Sequence, residues 1–167
     1  RYQLTYTLGA QASRPLGPLL VRGEAGYTHA APLPALQLPG STERVLAPLV
    51  AGLLALEIPV RGSGLVSLQY AQRDALTDAR HAPIPDRQRF VTALWRDEWT
   101  SRGLTLELFT TYALEDRDVL LRLRLDRRIN DALTLNFGGD LFDGDPRGVF
   151  GQHRALDRFL VGFTAYL

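Results

Sequence analysis

The chain of 167 residues contains no cysteine, no methionine and no lysine, so all nineteen of its basic side chains are arginine. The absence of cysteine excludes a disulfide framework, and it excludes zinc and iron–sulfur sites that need thiolate ligands. An arginine-only basic set is typical of a protein encoded in a GC-rich genome and indicates no function. The net charge of +1 gives no basic excess of the kind that predicts nucleic-acid binding. Composition therefore excludes several classes of protein and selects none.

Long hydrophobic runs are also missing. No apolar run reaches the 18 residues that a transmembrane helix needs, and the most apolar stretch, VLAPLVAGLLALEIPV at residues 45–60, contains Glu57 and two prolines. The chain is nevertheless 46% hydrophobic and 22% charged, which is too apolar for a disordered protein. We therefore expect a folded protein that is not an α-helical membrane protein.

Apolar and polar residues alternate with a period of two along most of the chain, whereas the spacing of amphipathic helices is scarce. This alternation predicts an all-β protein. Many of the expected strands have about ten residues, longer than the five or six usual in soluble sheets and long enough to cross a bilayer at a tilt. The nine predicted strands are residues 2–11, 19–29, 48–60, 65–74, 89–99, 104–114, 118–128, 133–142 and 158–167.

The connections between these strands alternate in length. Short turns, SRPLGP, RGSG, TSRG and IND, follow the first, third, fifth and seventh strands. Long polar loops follow the second, fourth and eighth strands, and the short charged segment EDRD follows the sixth. Tight turns at one end and long loops at the other are typical of an antiparallel, up-and-down transmembrane β-barrel.

The strand number predicts that this barrel is partial. Bacterial single-chain barrels have an even number of strands, and nine is odd. The chain also begins inside a predicted strand, with no signal peptide. We therefore expect residues 1–167 to be one barrel domain that is the C-terminal part of a larger, even-stranded barrel.

The segment DVLLRLRLDRRIN, residues 118–130, shows how the two faces would differ. Leu121, Leu123 and Leu125 share one face, and Arg122 and Arg124 lie on the other. In a barrel, we expect the leucines to face lipid and the arginines to face a water-filled lumen. The same parity predicts a lumen lined by Arg22, Glu24, Glu57, Arg73, Arg96, Glu98, Glu107, Arg122, Arg124, Asp126, Arg128, Asp140 and Arg158.

This set holds seven arginines and six carboxylates, so the clustering of charge matters more than its sum. A ladder of arginines in a pore would favour anions. Alternatively, the charges would pair across strands and brace the wall. Both interpretations remain open from the sequence.

Few residues predict other chemistry. The histidines His29, His81 and His153 have no metal-ligand spacing, and no nucleophile elbow or zinc-protease motif is present. The segment DLFDGD, residues 140–145, lacks the full pattern of a calcium loop. We therefore predict no enzyme activity, no metal and no cofactor.

The aromatic residues expected at the two membrane interfaces are Tyr27, Tyr70, Trp95, Trp99 and Tyr112.

The last 35 residues resemble a known kind of protein. A glycine-containing strand that ends in DLFDG, a loop with FGQ, then DR and an aromatic-rich final strand are similar to the C-terminal end of uncharacterised porin-like outer-membrane proteins of Gram-negative bacteria. The resemblance implies a location in the outer membrane and a last strand recognised by the barrel-assembly machinery. Leu167 departs from the terminal phenylalanine usual in such proteins.

The function expected from these features is passive diffusion of small polar or anionic solutes through the lumen, with lipid as the outer partner and no nucleic acid. One alternative is an exporter that moves an acidic polymer along the arginines. Another is a soluble, lipocalin-like binding protein, in which the leucine face would be the core.

Overall fold

The computed structural model describes residues 4–33, 45–60, 62–76 and 87–166. They form one sheet of nine antiparallel strands in chain order, which confirms the predicted all-β, up-and-down architecture. Within these ranges the sheet is not closed into a barrel. The strands are β1 (Tyr6–Leu16), β2 (Leu19–Leu33), β3 (Val45–Val60), β4 (Gly64–Ala75), β5 (Arg87–Trp99), β6 (Leu104–Ala113), β7 (Asp118–Asn130), β8 (Leu133–Asp143) and β9 (Arg158–Ala165).

Helical structure in the described residues is limited to two short 3-10 segments, Thr100–Arg102 and Gly151–Leu156. The first forms the turn between β5 and β6, and the second lies in the connection between β8 and β9. Neither is long and apolar enough to cross a membrane.

The prediction for the first strand was wrong at its end. We expected β1 to stop at Gln11, but it continues to Leu16 and turns at Gly17, whose φ is +60°. Leu16 pairs with Leu19 across this two-residue turn, so the next pair, at Pro15, is one that makes no ladder hydrogen bonds. The missing N–H of Pro15 therefore removes no bond to β2, and an edge strand tolerates proline there.

The loop predicted after β2 also begins later than expected. We placed its start at Ala30, but β2 runs to Leu33 beyond a β-bulge between Thr28 and Ala31. Ala30 has a φ of +55°, so the extra residues are absorbed by the bulge instead of ending the strand. The remainder of the two long loops predicted after β2 and β4, residues 34–44 and 77–86, lies outside the described residues.

Strand pairing gives the sheet two chemically different faces, because cross-strand partners share a face. One, the apolar face, is continuous over all nine strands. The other, the polar face, carries Gly, Ala, Thr, Gln and charged residues, together with some large apolar side chains such as Leu53, Phe90 and Phe109. The large side chains of the apolar face include Leu8, Tyr27, Leu54, Leu68, Val91, Trp95, Leu108, Leu121, Leu123, Leu125, Phe137, Leu141, Phe159, Val161 and Phe163.

The apolar face is bounded by polar residues at both ends of the strands. Arg14, Asp97 and Arg127 lie at the end with the short turns, and Asp74 and Arg87 at the opposite end. The apolar residues therefore form a band across the strands.

Burial is inverted relative to a water-soluble sheet. Phe159, Val161 and Leu54 are 83%, 80% and 63% exposed, whereas every fully buried apolar residue in the described part of the chain is an alanine. The largest side chains with almost no exposed surface are Asp118 and Asp140. The sheet thus packs its polar side and leaves its large apolar groups uncovered.

Candidate functional site

The register gathers every charged residue that was predicted for a lumen onto the polar face. These residues are Arg22, Glu24, Glu57, Arg73, Arg96, Glu98, Glu107, Arg122, Arg124, Asp126, Arg128, Asp140 and Arg158. Their distribution is uneven. On β2 and β3, Arg22 and Glu57 form a single ion pair of 3.0 Å, whereas the charges on β7, β8 and β9 converge.

The centre of this second group is Asp140 on β8. It lies between Arg122 on β7 and Arg158 on β9 as a direct cross-strand partner of both. Nε of Arg122 donates to Oδ1 at 2.9 Å, Nη2 of Arg124 donates to Oδ1 at 3.0 Å, and Nε of Arg158 donates to Oδ2 at 2.7 Å. One fully buried carboxylate therefore holds three guanidinium groups, with a local excess of two positive charges.

These three arginines remain in contact with solvent. The side chains of Arg122, Arg124 and Arg158 are 38%, 30% and 56% exposed, while that of Asp140 is 0% exposed. Within the described residues, the Nη atoms of Arg122 have no partner in the protein, so they can donate to a dissolved anion. We refer to these four residues as the arginine cluster.

A second row of alternating charge lies beside the cluster. Arg96, Glu107 and Arg124 are successive cross-strand partners on β5, β6 and β7. Positive charge again flanks a single carboxylate. Because Arg124 belongs to this row and also contacts Asp140, the two rows form one charged surface.

Gly138 provides the space that Arg124 needs. Arg124 and Gly138 are cross-strand partners, and a Cβ built on Gly138 would lie 2.8 Å from Nη1 of Arg124. Nη1 instead reaches the carbonyl oxygen of Gly139 at 3.3 Å. A glycine at this position therefore lets the guanidinium lie flat across β8.

The other buried carboxylate, Asp118 at the start of β7, holds the loop between β8 and β9. The backbone N–H of Asp145 donates to Oδ1 at 2.7 Å, and those of Phe150 and Gly151 donate to Oδ2 at 2.9 and 3.1 Å. Three backbone donors thus stabilise the carboxylate through hydrogen bonds. We call residues 144–157 the anchored loop.

Glycines let the anchored loop pass this close to Asp118. A Cβ on Gly144 would lie 2.1 Å from Oδ1 of Asp118, and one on Gly148 would lie 1.9 Å from Oδ2. Both distances are far below any tolerated contact. The sequence DGDPRGVFG therefore folds as a loop whose backbone N–H groups bind a carboxylate. The described residues contain no group of three or more His, Cys, Asp or Glu side chains that could hold a metal.

The anchored loop lies over the polar face. The ring of Phe150 packs edge-on against Phe90 of β5 at 6.4 Å, and His153 packs against Phe142 of β8 at 5.9 Å. Phe90 and Phe142 both belong to the polar face. The loop therefore reaches across the sheet from β8 to β5.

A cavity of about 940 Å³ separates the anchored loop from the first five strands. Val149 and Gln152 line one side, and Glu24, Arg73 and Phe90 are among the residues opposite them. Because strands as distant as β1 and β5 border the same cavity as the loop, the polar face is the concave side of the sheet.

Comparisons with known proteins were made for the whole chain. No family model, no curated protein and no solved structure matches it.

The other predicted features have mixed outcomes. Tyr27, Tyr70, Trp95, Trp99 and Tyr112 all lie on the apolar face, but only Trp99 and Tyr112 are at strand ends. His29 stacks on Tyr6 at 4.9 Å, and His81 lies outside the described residues.

Sequence reasoning missed the role of Asp118. Its signal was present in three glycines, at positions 144, 148 and 151, within a loop that also carries aspartates. We interpreted Asp118 only as a strand residue, because the backbone N–H groups that donate to it are 27 to 33 residues further along the chain.

Proposed function

We propose that this chain forms part of an outer-membrane β-barrel of a Gram-negative bacterium, and that the barrel is a channel for passive diffusion of small polar or anionic solutes. The observation that carries the proposal is the inverted burial. Large aliphatic and aromatic side chains are exposed on one continuous face, while two aspartates are the most buried large side chains.

A soluble protein would need a second layer to cover the apolar face, since exposed apolar patches of this extent are rare in water. Lipid covers such a face without any further protein. The polar residues at both ends of the band, such as Asp97 and Asp74, match the two boundaries of a membrane.

Closure into a barrel requires neighbours for β1 and β9, whose residues are exposed along their whole length. These two strands run in the same direction, because the chain reverses direction eight times, an even number, between the first and the ninth strand of the antiparallel sheet. Antiparallel closure therefore needs an odd number of additional strands, which gives the even total of bacterial barrels.

The preference for anions follows from the arginine cluster. Three partly exposed guanidinium groups share one buried carboxylate, so the surface presented to water is positive. Guanidinium groups bind carboxylates and phosphates through paired N–H donors. A solute anion would replace part of its hydration shell with these donors as it passes.

The first test is to express the full-length protein in a Gram-negative host and fractionate the envelope. We expect recovery in the outer membrane and a change in gel mobility on boiling, which reports a detergent-stable barrel. Recovery in the soluble fraction, with no mobility change, would contradict the proposal and favour a lipocalin-like binding protein whose leucine face is the core.

The second test addresses selectivity. In planar bilayers, Arg122→Ala combined with Arg124→Ala should lower the anion-to-cation permeability ratio severalfold, because two lumen charges are removed. Arg127→Ala is the matched control, since Arg127 is on the same strand but on the apolar face. An unchanged ratio in the double variant would show that these arginines only brace the wall.

A further inference from the structure

We propose that the anchored loop is a fixed partition inside the passage, and that Asp118 is the positioning residue through which this loop sets the largest solute able to pass. The inference rests on the proposed function, because it assumes that the concave face lines a passage. It assigns a specificity role to residues 144–157.

The anchor is strong for a surface loop. Both oxygens of Asp118 are used, all three donors are backbone groups, and the side chain has no exposed surface. Hydrogen bonds to a charged acceptor are about twice as strong as bonds between neutral groups. The docked position of the loop is therefore favoured over one in which the loop extends into solvent.

The anchor also selects the side of the sheet on which the loop lies. Asp118 belongs to the polar face, as the cross-strand partner of Ala113, and so do the aromatic contacts Phe90 and Phe142. Three separate contacts thus hold the loop to the concave side.

The position of the loop has a direct consequence for passage. Val149 and Gln152 face a cavity of about 940 Å³ whose opposite wall includes Gln11, Glu24 and Arg73. A solute that crosses the concave side along the first five strands would pass between this wall and the loop. The width of that gap depends on the anchor, whereas the charge of the route depends on the arginine cluster.

Thiol labelling tests the position of the loop without depending on conductance. The chain has no cysteine, so Gln152→Cys creates a single thiol. In liposomes, we expect it to react with a small maleimide but only slowly with a long polyethylene-glycol maleimide. Arg117→Cys, in the exposed turn between β6 and β7, should react readily with both reagents. Equal rates with the large reagent at the two positions would overturn the proposal.

Single-channel recording tests the role of Asp118. Asp118→Ala should raise conductance by about twofold and admit larger neutral polyethylene glycols, because the open cross-section increases. Gly148→Ala should do the same, since its Cβ would displace the carboxylate. Gly162→Ala is the matched control, because its Cβ would meet no atom within 4 Å.

A variant that retains the anchor keeps the test decisive if Asp118→Ala fails to fold. Gln152→Trp adds bulk to the docked loop and should lower both conductance and the size limit. If folded Asp118→Ala, or Gln152→Trp in its place, conducts like the parent protein, the loop does not set the width. If the parent protein forms no channel at all, the proposed function fails instead, while the labelling result still reports where the loop lies.

Discussion

Asp118 and Asp140 are fully buried aspartates on neighbouring strands and on the same face of the sheet, yet their carboxylates are stabilised in different ways. Asp118 accepts three backbone N–H groups from one loop. Asp140 accepts three arginines from two strands. The first arrangement brings in no cation and orders the backbone, whereas the second leaves a positive excess at the surface.

Loss of the carboxylate should have different consequences at the two sites. Backbone donors become unsatisfied when their acceptor is lost, because the loop is packed over them. Guanidinium groups that are 30 to 56% exposed can return to water instead. We therefore expect Asp118 to matter more for stability and Asp140 to matter more for ion preference.

The largest effect is expected for Asp118→Ala. The substitution leaves three backbone N–H groups without their acceptor, of which that of Gly151 is buried, and should lower the free energy of unfolding by about 3 kcal/mol. Urea unfolding of the refolded protein, followed by the fluorescence of Trp95 and Trp99, measures this change. Asp131→Ala, in the exposed turn after β7, is the control and should change stability by less than about 0.5 kcal/mol. A loss as small as that of the control would contradict the anchor.

Asp140→Asn should change the ion preference of the channel more than the stability of the protein. It removes the one carboxylate that the three arginines share, so the anion-to-cation permeability ratio should rise by about twofold. Stability should fall by about 2 kcal/mol, less than for Asp118→Ala, because the amide oxygen still accepts from one side of the cluster while the amide nitrogen can no longer accept from the other. A reversal potential measured across a salt gradient gives the ratio. A fall in the ratio would mean that the cluster does not control the charge of the route.

A smaller effect is expected for Gly138→Ala. Its Cβ would lie 2.8 Å from Nη1 of Arg124, so the guanidinium must move away from β8. We expect a loss of about 1 kcal/mol in urea unfolding, as for other substitutions that overpack a site. Gly162→Ala on β9 should be neutral or slightly stabilising, since alanine is better than glycine in a strand. Equal stability of the two variants would argue against close packing of Arg124 on Gly138.

The two faces of the sheet could be predicted from the sequence because side chains alternate along any strand, whether or not the sheet closes. This is why Arg122 and Arg124 were assigned to the same side as Asp140 without knowledge of their contacts. The end of β1 was missed because Pro15 was interpreted as part of a turn, and a proline at an edge position leaves no sign of whether the strand continues.

The anchor at Asp118 could not be predicted for a different reason. Its contacts depend on the backbone path of a loop, and alternation carries no information about that path. The segment DLFDGD was compared with calcium loops because it is rich in aspartate. In the structure, Asp140, Asp143 and Asp145 point to separate partners: Arg122 and the other cluster arginines, Arg154, and the backbone N–H of Arg147.

The smallest expected effect is a change in the pH dependence of stability. Asp116 lies in the turn before β7. Burial, and then the neighbouring Asp118 carboxylate, raise the pKa of Asp116 above its ordinary value of 3.8, although the backbone N–H of Val149 acts in the opposite direction. The folded state therefore binds this proton more tightly than the unfolded state does. Its contribution to stability is fully present below about pH 3.8 and is lost as the pH rises through the raised pKa.

Asp116→Asn removes this titration while keeping an oxygen that can accept the N–H of Val149. The variant and the parent protein should be equally stable in acid, and the variant should become the more stable as the pH approaches neutrality. Urea midpoints of both proteins over a pH series measure the gap. Ser101→Ala, in an exposed turn at the other end of the sheet, removes no titratable group and should show no such trend. A gap that stays constant with pH would mean that the Asp116 carboxylate is fully hydrated, and that the anchored loop does not close over the turn that precedes Asp118.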